Sequence, residues 1–400
     1  MSDQALTFTQ KVNAPPKEVY RAFTNSTIMR EWLCDIASTN PNPGGRLYLW
    51  WHDGYYSSGE YLTAESPDKV SFTWRGRGEP GETRVQVTLT PQDGGTLVTL
   101  EHLGMAPTPQ WADTMEEIKK GWKNSLENLA SVLETGEDLR FTKRPMLGIG
   151  ISDFDEKIAQ KMGIPVSKGI RIDTPIEGMG AAAAGLESGD VIVKMGDKEI
   201  TDFASITNAL SGRRVGEEIE VGFYRGSQRK TLNMTLSGRR IPEIPKTTSE
   251  LAAKVKDKYA GLQTRLVETF EGVSDAQASH KPAPGEWSAK EVLAHLIHSE
   301  RGLRQFTSDL VGGQEPIYDD YGGNLDTFTT ATILTYPTVS DLLSEYQRTC
   351  AENVAILAKL PEDFTDRKGS YWRLAYQFSE DDFHFDSHLE QIRTAIASAG

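Results

Sequence analysis

Apolar and polar positions follow three successive patterns along the 400 residues of the chain. Up to about Gly136, short segments such as 85–89 and 98–100 alternate apolar with polar residues, and this period of two predicts half-buried strands. Residues 91–95, Pro-Gln-Asp-Gly-Gly, supply turn chemistry between them, so the pair predicts a hairpin. A long helix that ends at Gly136 is predicted from apolar residues at three- and four-residue steps: Met115, Ile118, Trp122, Leu126, Leu129 and Leu133.

The middle of the chain is richer in glycine and isoleucine, and strand signals return there. Strands are predicted at residues 169–173, 190–195 and 218–224, and helices at 158–162 and 203–210. From residue 248 on, helical periodicity dominates, and four helices are predicted at 249–270, 288–310, 340–360 and 378–398. Ser288 followed by Glu291 matches the capping box of a helix start. The chain is therefore predicted to be a multidomain α+β protein with domains at 1–140, 144–240 and 246–400.

Composition and charge argue against some classes of partner but do not identify a ligand. The 43 basic and 57 acidic residues give a net charge of −14, which argues against a nucleic-acid partner. No apolar run approaches the ~20 residues of a spanning helix, so no membrane partner is expected. The first residues lack a secretory signal, and two cysteines, Cys34 and Cys350, cannot form a disulfide framework. We therefore expect a cytoplasmic protein with reduced thiols.

The first predicted domain carries a recognisable order of features. A strand leads into the Pro-Pro helix start at 14–23, followed by Arg-Glu-Trp-Leu at 30–33, a Gly-Gly turn at 44–45 and the long helix. This order resembles the START-like (SRPBCC) helix-grip domains, in particular the family related to the Hsp90 ATPase activator. The resemblance implies a curved sheet wrapped on the helix, with a cavity for a small apolar ligand. Candidates for lining the cavity, or alternatively for simple core packing, are Trp32, Trp50, Phe72, Trp74, Trp111 and Trp122.

Two segments of the middle domain resemble bacterial PDZ domains. Residues 183–197, beginning Ala-Ala-Gly-Leu, are similar to the PDZ core, and Leu-Gly-Ile-Gly-Ile at 147–151 is similar to the carboxylate-binding loop. Such a loop directs backbone N–H groups at the C-terminus of a peptide or protein, which adds as a strand beside it. The alternative is a PDZ fold used only as a spacer. The resemblance implies a peptide site formed by Leu147, Gly148, Ile149, Gly150 and Ile151, with Ile206 and Leu210 on the facing helix.

Histidine placement is the most informative feature of the last domain. Two histidines four residues apart, His384 and His388, lie on one face of the predicted fourth helix, and His295 lies on the predicted second helix. Three imidazoles from two facing helices can bind one divalent cation and leave a coordination position open. Zinc, nickel and iron all suit nitrogen ligands. Histidines at this spacing are also common as surface or satisfied core residues, and that alternative stays open.

The flanking residues resemble DinB-like four-helix bundles. Residues 281–296, with their Trp-Ser helix start, and residues 384–392 carry the resemblance. It implies that three histidines bind a divalent metal, and it extends to members that are transferases using a low-molecular-weight thiol. Carried over position by position, it assigns the metal ligands His295, His384 and His388, and it assigns no catalytic residue.

Three further side chains near these histidines have open roles. His298 either contacts a ligand histidine without binding the metal, is itself an alternative ligand, or faces solvent. Glu300 and Asp386 either orient an imidazole or face solvent. Cys34 and Cys350 have no visible activating base, so neither is predicted to be a nucleophile.

Two functional hypotheses follow. The first is a bacterial multidomain binding protein with a small apolar ligand, a PDZ-bound peptide and a tri-histidine metal site that supports thiol-dependent transferase or detoxification chemistry. The second is a non-enzymatic adaptor or sensor, in which the PDZ domain recruits a partner peptide and the other domains sense ligand.

Overall fold

The computed structural model describes residues 4–152, 154–313 and 325–400. The chain divides into two compact units. The first unit comprises Met1–Trp51, Tyr55–Glu137 and Pro242–Gly400, and the second comprises His52–Gly54 and Asp138–Ile241. Among the residues that the structure describes, none of the helices combines the length and the apolarity that crossing a membrane requires.

The N-terminal part of the first unit is an antiparallel sheet closed by a long helix. Its elements are β1 (Gln4–Val12), α1 (Pro16–Ala22), α2 (Ser26–Trp32), β2 (Ile36–Thr39), β3 (Arg46–Trp50), β4 (Tyr56–Glu65), β5 (Lys69–Gly76), β6 (Thr83–Gln92), β7 (Gly95–Met105) and α3 (Pro109–Thr135). The seven strands described here follow the order β1-β7-β6-β5-β4-β3-β2. The apolar stripe of α3 packs on the sheet and forms the core with it.

Backbone conformation explains the predicted hairpin of this domain and the predicted end of its long helix. Strands β6 and β7 form the predicted hairpin, in which Gln92 pairs with Gly95 across a turn where Asp93 and Gly94 have φ of 46° and 78°. These positive angles favour glycine and the short polar aspartate. Helix α3 ends at Gly136, whose left-handed backbone (φ 84°) lets its N–H bond back to the carbonyl of Val132.

The second unit is a small antiparallel sheet with short helices. Its elements are α4 (Leu139–Thr142), β8 (Ile149–Ser152), α5 (Glu156–Met162), β9 (Ile170–Pro175), α6 (Gly180–Ala183), β10 (Val191–Met195), β11 (Lys198–Glu199), α7 (Phe203–Leu210), β12 (Glu218–Arg225) and β13 (Gln228–Thr235). The strand order is β13-β12-β10-β9-β8, and β11 pairs with β10. Strand β8 therefore lies at an edge, where an added strand can pair.

The C-terminal part of the first unit is helical. Its elements are α8 (Thr248–Thr269), α9 (Asp275–Ala278), α10 (Ala289–Gly312), α11 (Leu325–Thr335), α12 (Val339–Leu357), α13 (Glu362–Thr365), α14 (Lys368–Ser379) and α15 (Phe383–Ala397). The predicted capping box at Ser288 and Glu291 is present at the start of α10. The predicted helix 378–398 was wrong at its start, because Phe378 belongs to α14 and a separate helix, α15, begins at Phe383.

Helix α14 joins the bundle to the helix-grip domain. The Ser370 hydroxyl donates to Oε1 of the buried Glu31 on α2, and the Lys368 ammonium donates to the Glu134 carbonyl at the end of α3. Gly369 approaches α2 so closely that a Cβ there would lie 2.4 Å from Glu31 Oε2. Helix α14 is followed along the chain by α15, which carries two of the candidate ligands.

Candidate functional site

Helices α10 and α15 bring the three predicted metal ligands together. His295 comes from the first half of α10, and His384 and His388 come from successive turns of α15. Nε2 of His384 lies 3.3 Å from Nε2 of His295 and 3.1 Å from Nε2 of His388. One ring nitrogen from each histidine lies within 4.8 Å of the others. The four-residue spacing on α15 thus places two imidazoles on one face, as the sequence predicts.

Burial and neighbouring imidazoles favour the neutral form of His295 and His384. Burial, followed by the neighbouring His388 and His384, lowers the pKa of His295 to about 4. Burial and His388 also lower the pKa of His384. Neutral imidazoles are the form that donates a nitrogen lone pair to a metal. His295 and His384 are therefore in the form that can bind a metal near neutral pH.

The nitrogen geometry fits a single small cation. Bonds of about 2.1 Å to a tetrahedral zinc ion place two nitrogen ligands roughly 3.4 Å apart, close to the 3.1 and 3.3 Å separations of the Nε2 atoms. Nδ1 of His295 is buried and has no hydrogen-bond partner among the described residues. An all-nitrogen donor set suits zinc, nickel or iron. The three histidines therefore fit the divalent metal ion that the sequence predicted.

Gln391 is a supporting residue that the sequence analysis did not single out. Its side-chain oxygen lies 2.9 Å from Nδ1 of His388 and accepts the N–H of that nitrogen, which leaves Nε2 unprotonated. The signal was visible in the sequence, because a residue three positions after His388 lies on the same helix face.

The structure gives the other candidate residues different partners. His298 stacks on Phe328 of α11 with ring centroids 4.7 Å apart. Asp386 forms an ion pair with Arg265 at 2.6 Å. The Glu300 side chain accepts hydrogen bonds from the Tyr259 hydroxyl and, at 3.2 Å, from the Asn353 amide. These contacts do not support the hypotheses that Glu300 or Asp386 orients an imidazole. Gln391 makes the contact with a ligand imidazole instead.

A cavity of 450 Å³ lies beside the histidines, with His384 in its wall. The half-buried Glu300 also lines this cavity, and burial raises the pKa of its carboxyl. Cys350 lies deeper in the bundle, where burial raises the pKa of its thiol. A buried thiol of raised pKa is a poor nucleophile. Cys34 is buried as well.

The predicted PDZ residues lie in three parts of the second unit, namely the loop before β8, β8 itself and α7. Ile149 and Ile151 lie on the edge strand β8, and Ile206 and Leu210 are buried on α7. The carbonyls of Leu147 and Gly148 accept the N–H groups of Ala181 and Ile176 at 3.0 and 2.8 Å. These two hydrogen bonds hold the loop in place through its carbonyl groups. Gly148 has φ 77°, a conformation that glycine adopts without strain.

Five of the six aromatic candidates in the first domain lie in its core. Phe72, Trp74 and Trp122 form a connected cluster, with ring centroids 6.5 and 5.5 Å apart, and Trp32 packs edge-on against Phe23 at 5.1 Å. Trp111 is also buried, and Trp50 is half-buried on β3. Trp50 does not belong to this core, because it lies on the face of β3 opposite the buried Leu47 and Leu49.

The buried His102 links two of these aromatic residues. The Trp122 indole N–H donates to Nδ1 of His102 at 3.0 Å, so Nε2 carries the proton and donates to the Thr83 hydroxyl at 2.7 Å. That hydroxyl donates to the Trp74 carbonyl at 3.1 Å. Burial lowers the pKa of His102 to about 4, so the chain of bonds contains a neutral imidazole.

Three segments of the chain match known families. Residues 13–134 match the family described as Activator of Hsp90 ATPase homolog 1-like protein, residues 145–236 match the PDZ domain, and residues 259–383 match the DinB superfamily. The chain therefore contains a helix-grip domain of the Hsp90-activator type, a PDZ domain and a helical DinB domain, and all three fold predictions are confirmed. The DinB match includes His295 and ends one residue before His384.

Curated relatives match part of the chain. The serine protease Do-like HtrA of Lactococcus lactis subsp. cremoris is 30% identical over 176 residues, which cover 43% of this chain and 36% of the relative. The periplasmic serine endoprotease DegP of Salmonella typhimurium is 24% identical over 195 residues, 48% of this chain and 36% of the relative. The chain thus spans about a third of the length of these relatives.

Solved structures resemble the chain over about a third of its length. The protein MLL2253 from Mesorhizobium loti is 26% identical, with a TM-score of 0.31, over 33% of this chain and 97% of that one. An HSP90 activator from Plasmodium falciparum is 23% identical, with a TM-score of 0.28, over 32% of this chain and 95% of that one.

Proposed function

We propose that the DinB domain binds one divalent metal ion through His295, His384 and His388 and uses it for thiol-dependent transferase or detoxification chemistry. The observation that carries the proposal is the convergence of three Nε2 atoms, two pairs of them 3.1 and 3.3 Å apart, from two helices. Three lone pairs that point at one another repel unless a cation or a proton lies between them. A cation bonds all three at once.

The side chains around the ligands support this role. Gln391 holds His388 in the tautomer that presents Nε2, and the ring of Trp287 lies beside His295, with centroids 5.2 Å apart. Three protein ligands leave a fourth position for a small molecule. A metal ion bound here would lower the pKa of a thiol in that position and make it a thiolate nucleophile near neutral pH.

Elemental analysis tests the metal site. The full chain is expressed in medium supplemented with zinc, nickel and iron, purified without chelator, and measured for bound metal. We expect one metal ion per chain for the wild type and none for His388→Ala. The matched control is His280→Ala, which removes an exposed histidine of the same domain and should leave the metal content unchanged. A metal-free wild-type protein would overturn the proposal.

We assign peptide recruitment to the PDZ domain. The open edge of β8, the loop containing Gly148 and the apolar pair Ile206 and Leu210 support binding of a peptide C-terminus as an added strand. A peptide library with apolar last residues tests the assignment by fluorescence anisotropy. A free carboxylate should bind at least about tenfold more tightly than its amide, because the loop binds the carboxylate by charge-assisted hydrogen bonds. Equal affinities would contradict it.

We assign a small apolar ligand to the helix-grip domain. We also assign the protein to the cytoplasm of a bacterium, where low-molecular-weight thiols stay reduced. The second candidate function is a non-enzymatic adaptor or sensor, favoured by the open β8 edge. The two are distinguished by metal content and by consumption of a thiol with an electrophilic acceptor. A protein that binds peptide but neither metal nor thiol is the adaptor.

A further inference from the structure

The cavity beside His384 has a wall of unusual charge. Its 450 Å³ volume lies within the ~300–1,000 Å³ of ligand pockets. It is lined by residues from α8, α10, α14 and α15 and from the segment before α15. Its lining includes Lys258, Glu300, Glu380, Asp381, Asp382 and His384.

Carboxyl groups outnumber cations in this wall. The Lys258 ammonium donates to the Glu380 carbonyl at 2.7 Å and pairs with Asp382 at 3.0 Å. It therefore anchors the segment before α15, and its charge also acts on Glu300. Four carboxyls, those of Glu300, Glu380, Asp381 and Asp382, face this single ammonium group, which makes the cavity wall electronegative beside the predicted metal ion.

Glu300 is the best-held of these carboxyls. The Tyr259 hydroxyl and the Asn353 amide both donate to its Oε2 atom, and the half-buried side chain faces the cavity. A carboxyl fixed in this way is preorganised for a cation that enters the cavity, because no side-chain entropy is lost when the ion pair forms. Burial raises the pKa of this carboxyl, and an ammonium group placed beside it would favour the charged form.

We propose that this cavity selects an aminothiol, whose sulfur lies at the histidine cluster and whose ammonium group pairs with Glu300 in the cavity wall. The inference rests on the proposed function and names the class of thiol that the site takes. Anionic thiols are repelled by the same wall, and neutral thiols gain no ion pair. The volume leaves room for a molecule larger than the aminothiol group itself.

Spectroscopy of the cobalt-loaded full chain tests the inference. Co²⁺ reports its own binding through its d–d absorption, and thiolate binding adds a sulfur-to-cobalt charge-transfer band. Titrations with cysteamine, 2-mercaptoethanol and 3-mercaptopropionate compare a cationic, a neutral and an anionic thiol. We expect cysteamine to bind about tenfold or more tightly than 2-mercaptoethanol, and 3-mercaptopropionate to bind weakest.

Two variants separate charge recognition from intrinsic thiol acidity. Glu300→Gln keeps an oxygen for Tyr259 and Asn353 and removes the charge, and it should reduce the cysteamine preference to about threefold or less. Glu390→Gln makes the same change on α15 at an exposed position outside the cavity and should retain the wild-type preference. Because each thiol is compared across variants, differences in thiol pKa cancel.

Each outcome has one meaning. Absence of the cobalt spectrum, or cobalt binding with no charge-transfer band for any thiol, overturns the proposed function and this inference with it. Cobalt and thiol binding with the same preference in Glu300→Gln as in the wild type overturns the inference alone. Loss of the preference in Glu390→Gln as well would mean that net charge, rather than the cavity wall, selects the thiol.

Discussion

Nδ1 of His388 lies 2.9 Å from the side-chain oxygen of Gln391. Because an amide oxygen only accepts, this contact places the proton on Nδ1 and leaves Nε2 free. We predict that Gln391→Leu weakens metal binding about 10- to 100-fold, the usual effect of removing a group that orients a ligand. Competition with a chromophoric chelator measures the change.

Gln391→Glu is the matched control for this prediction. It retains an oxygen at the same distance along the side chain, so metal affinity should stay within about threefold of the wild type. If Gln391→Leu binds metal as tightly as the wild type, the contact does not set the tautomer.

A second prediction concerns the interface made by α14. A Cβ on Gly369 would lie 2.4 Å from Glu31 Oε2 and 2.8 Å from Val132 Cγ1. Glu31 is buried and already bonded to Ser370, so it cannot move cheaply. We expect Gly369→Ala to lower the free energy of unfolding by about 1–3 kcal/mol, as overpacking does. Urea denaturation followed by tryptophan fluorescence measures it.

Gly261→Ala gives the opposite expectation from the same chemical change. Gly261 lies inside α8, and a Cβ there meets nothing within 4 Å. Alanine should therefore stabilise the helix by up to about 1 kcal/mol through its higher propensity. Equal effects of the two substitutions would show that the approach of Gly369 to α2 carries no energetic cost.

The sequence predicted features that depend on short spacing. The four-residue spacing of His384 and His388 and the capping box of Ser288 and Glu291 are local, and both are present in the structure. The partners of Glu300 are not local. Tyr259 lies 41 residues and Asn353 53 residues away along the chain, so only the bundle's packing brings them to the carboxyl.

Helix α14 was missed for a different reason. It is buried on several sides, including Tyr371, Trp372, Leu374 and Phe378, because it packs within the bundle and also against α2 and α3. A helix buried all round has no single apolar stripe, so its periodicity is weak. Helix α11 is hard to predict for another reason. Its buried residues are the polar Thr329 and Thr332, so they form no apolar stripe.

A third prediction concerns the PDZ loop. Gly148 and Gly163 both have left-handed backbones, with φ of 77° and 68°. A Cβ on Gly148 would lie 2.3 Å from Cβ of the buried Met179, whereas one on Gly163 meets nothing within 4 Å. We expect Gly148→Ala to shift the loop and weaken binding of a free-carboxylate peptide about tenfold or more. Fluorescence anisotropy measures the affinity.

Gly163→Ala controls for backbone strain in the same domain. It has the same left-handed cost of roughly 1–2 kcal/mol in stability without the contact to Met179. Its peptide affinity should match the wild type. Equal loss of affinity in both variants would mean that general destabilisation, rather than the shape of the loop, weakens binding.

The last prediction concerns the pH dependence of the helix-grip domain. Burial lowers the pKa of His102 to about 4, while an unfolded histidine titrates near pH 6.5. Between these values the unfolded chain binds a proton that the folded chain does not, so stability falls as the pH falls. The contribution of His102 is fully present above about pH 6.5, and about 3 kcal/mol is lost by pH 4.

The substitution His102→Gln isolates this contribution from that of other groups. A glutamine can accept the Trp122 N–H and donate to Thr83, yet it does not titrate. We expect urea midpoints of the variant to fall less steeply than those of the wild type from pH 6.5 to 4. An NMR titration of the wild-type ring should give a pKa near 4. A His102 pKa near 6.5 would mean that water reaches the imidazole, and the neutral hydrogen-bonded chain from Trp122 to Trp74 would then be wrong.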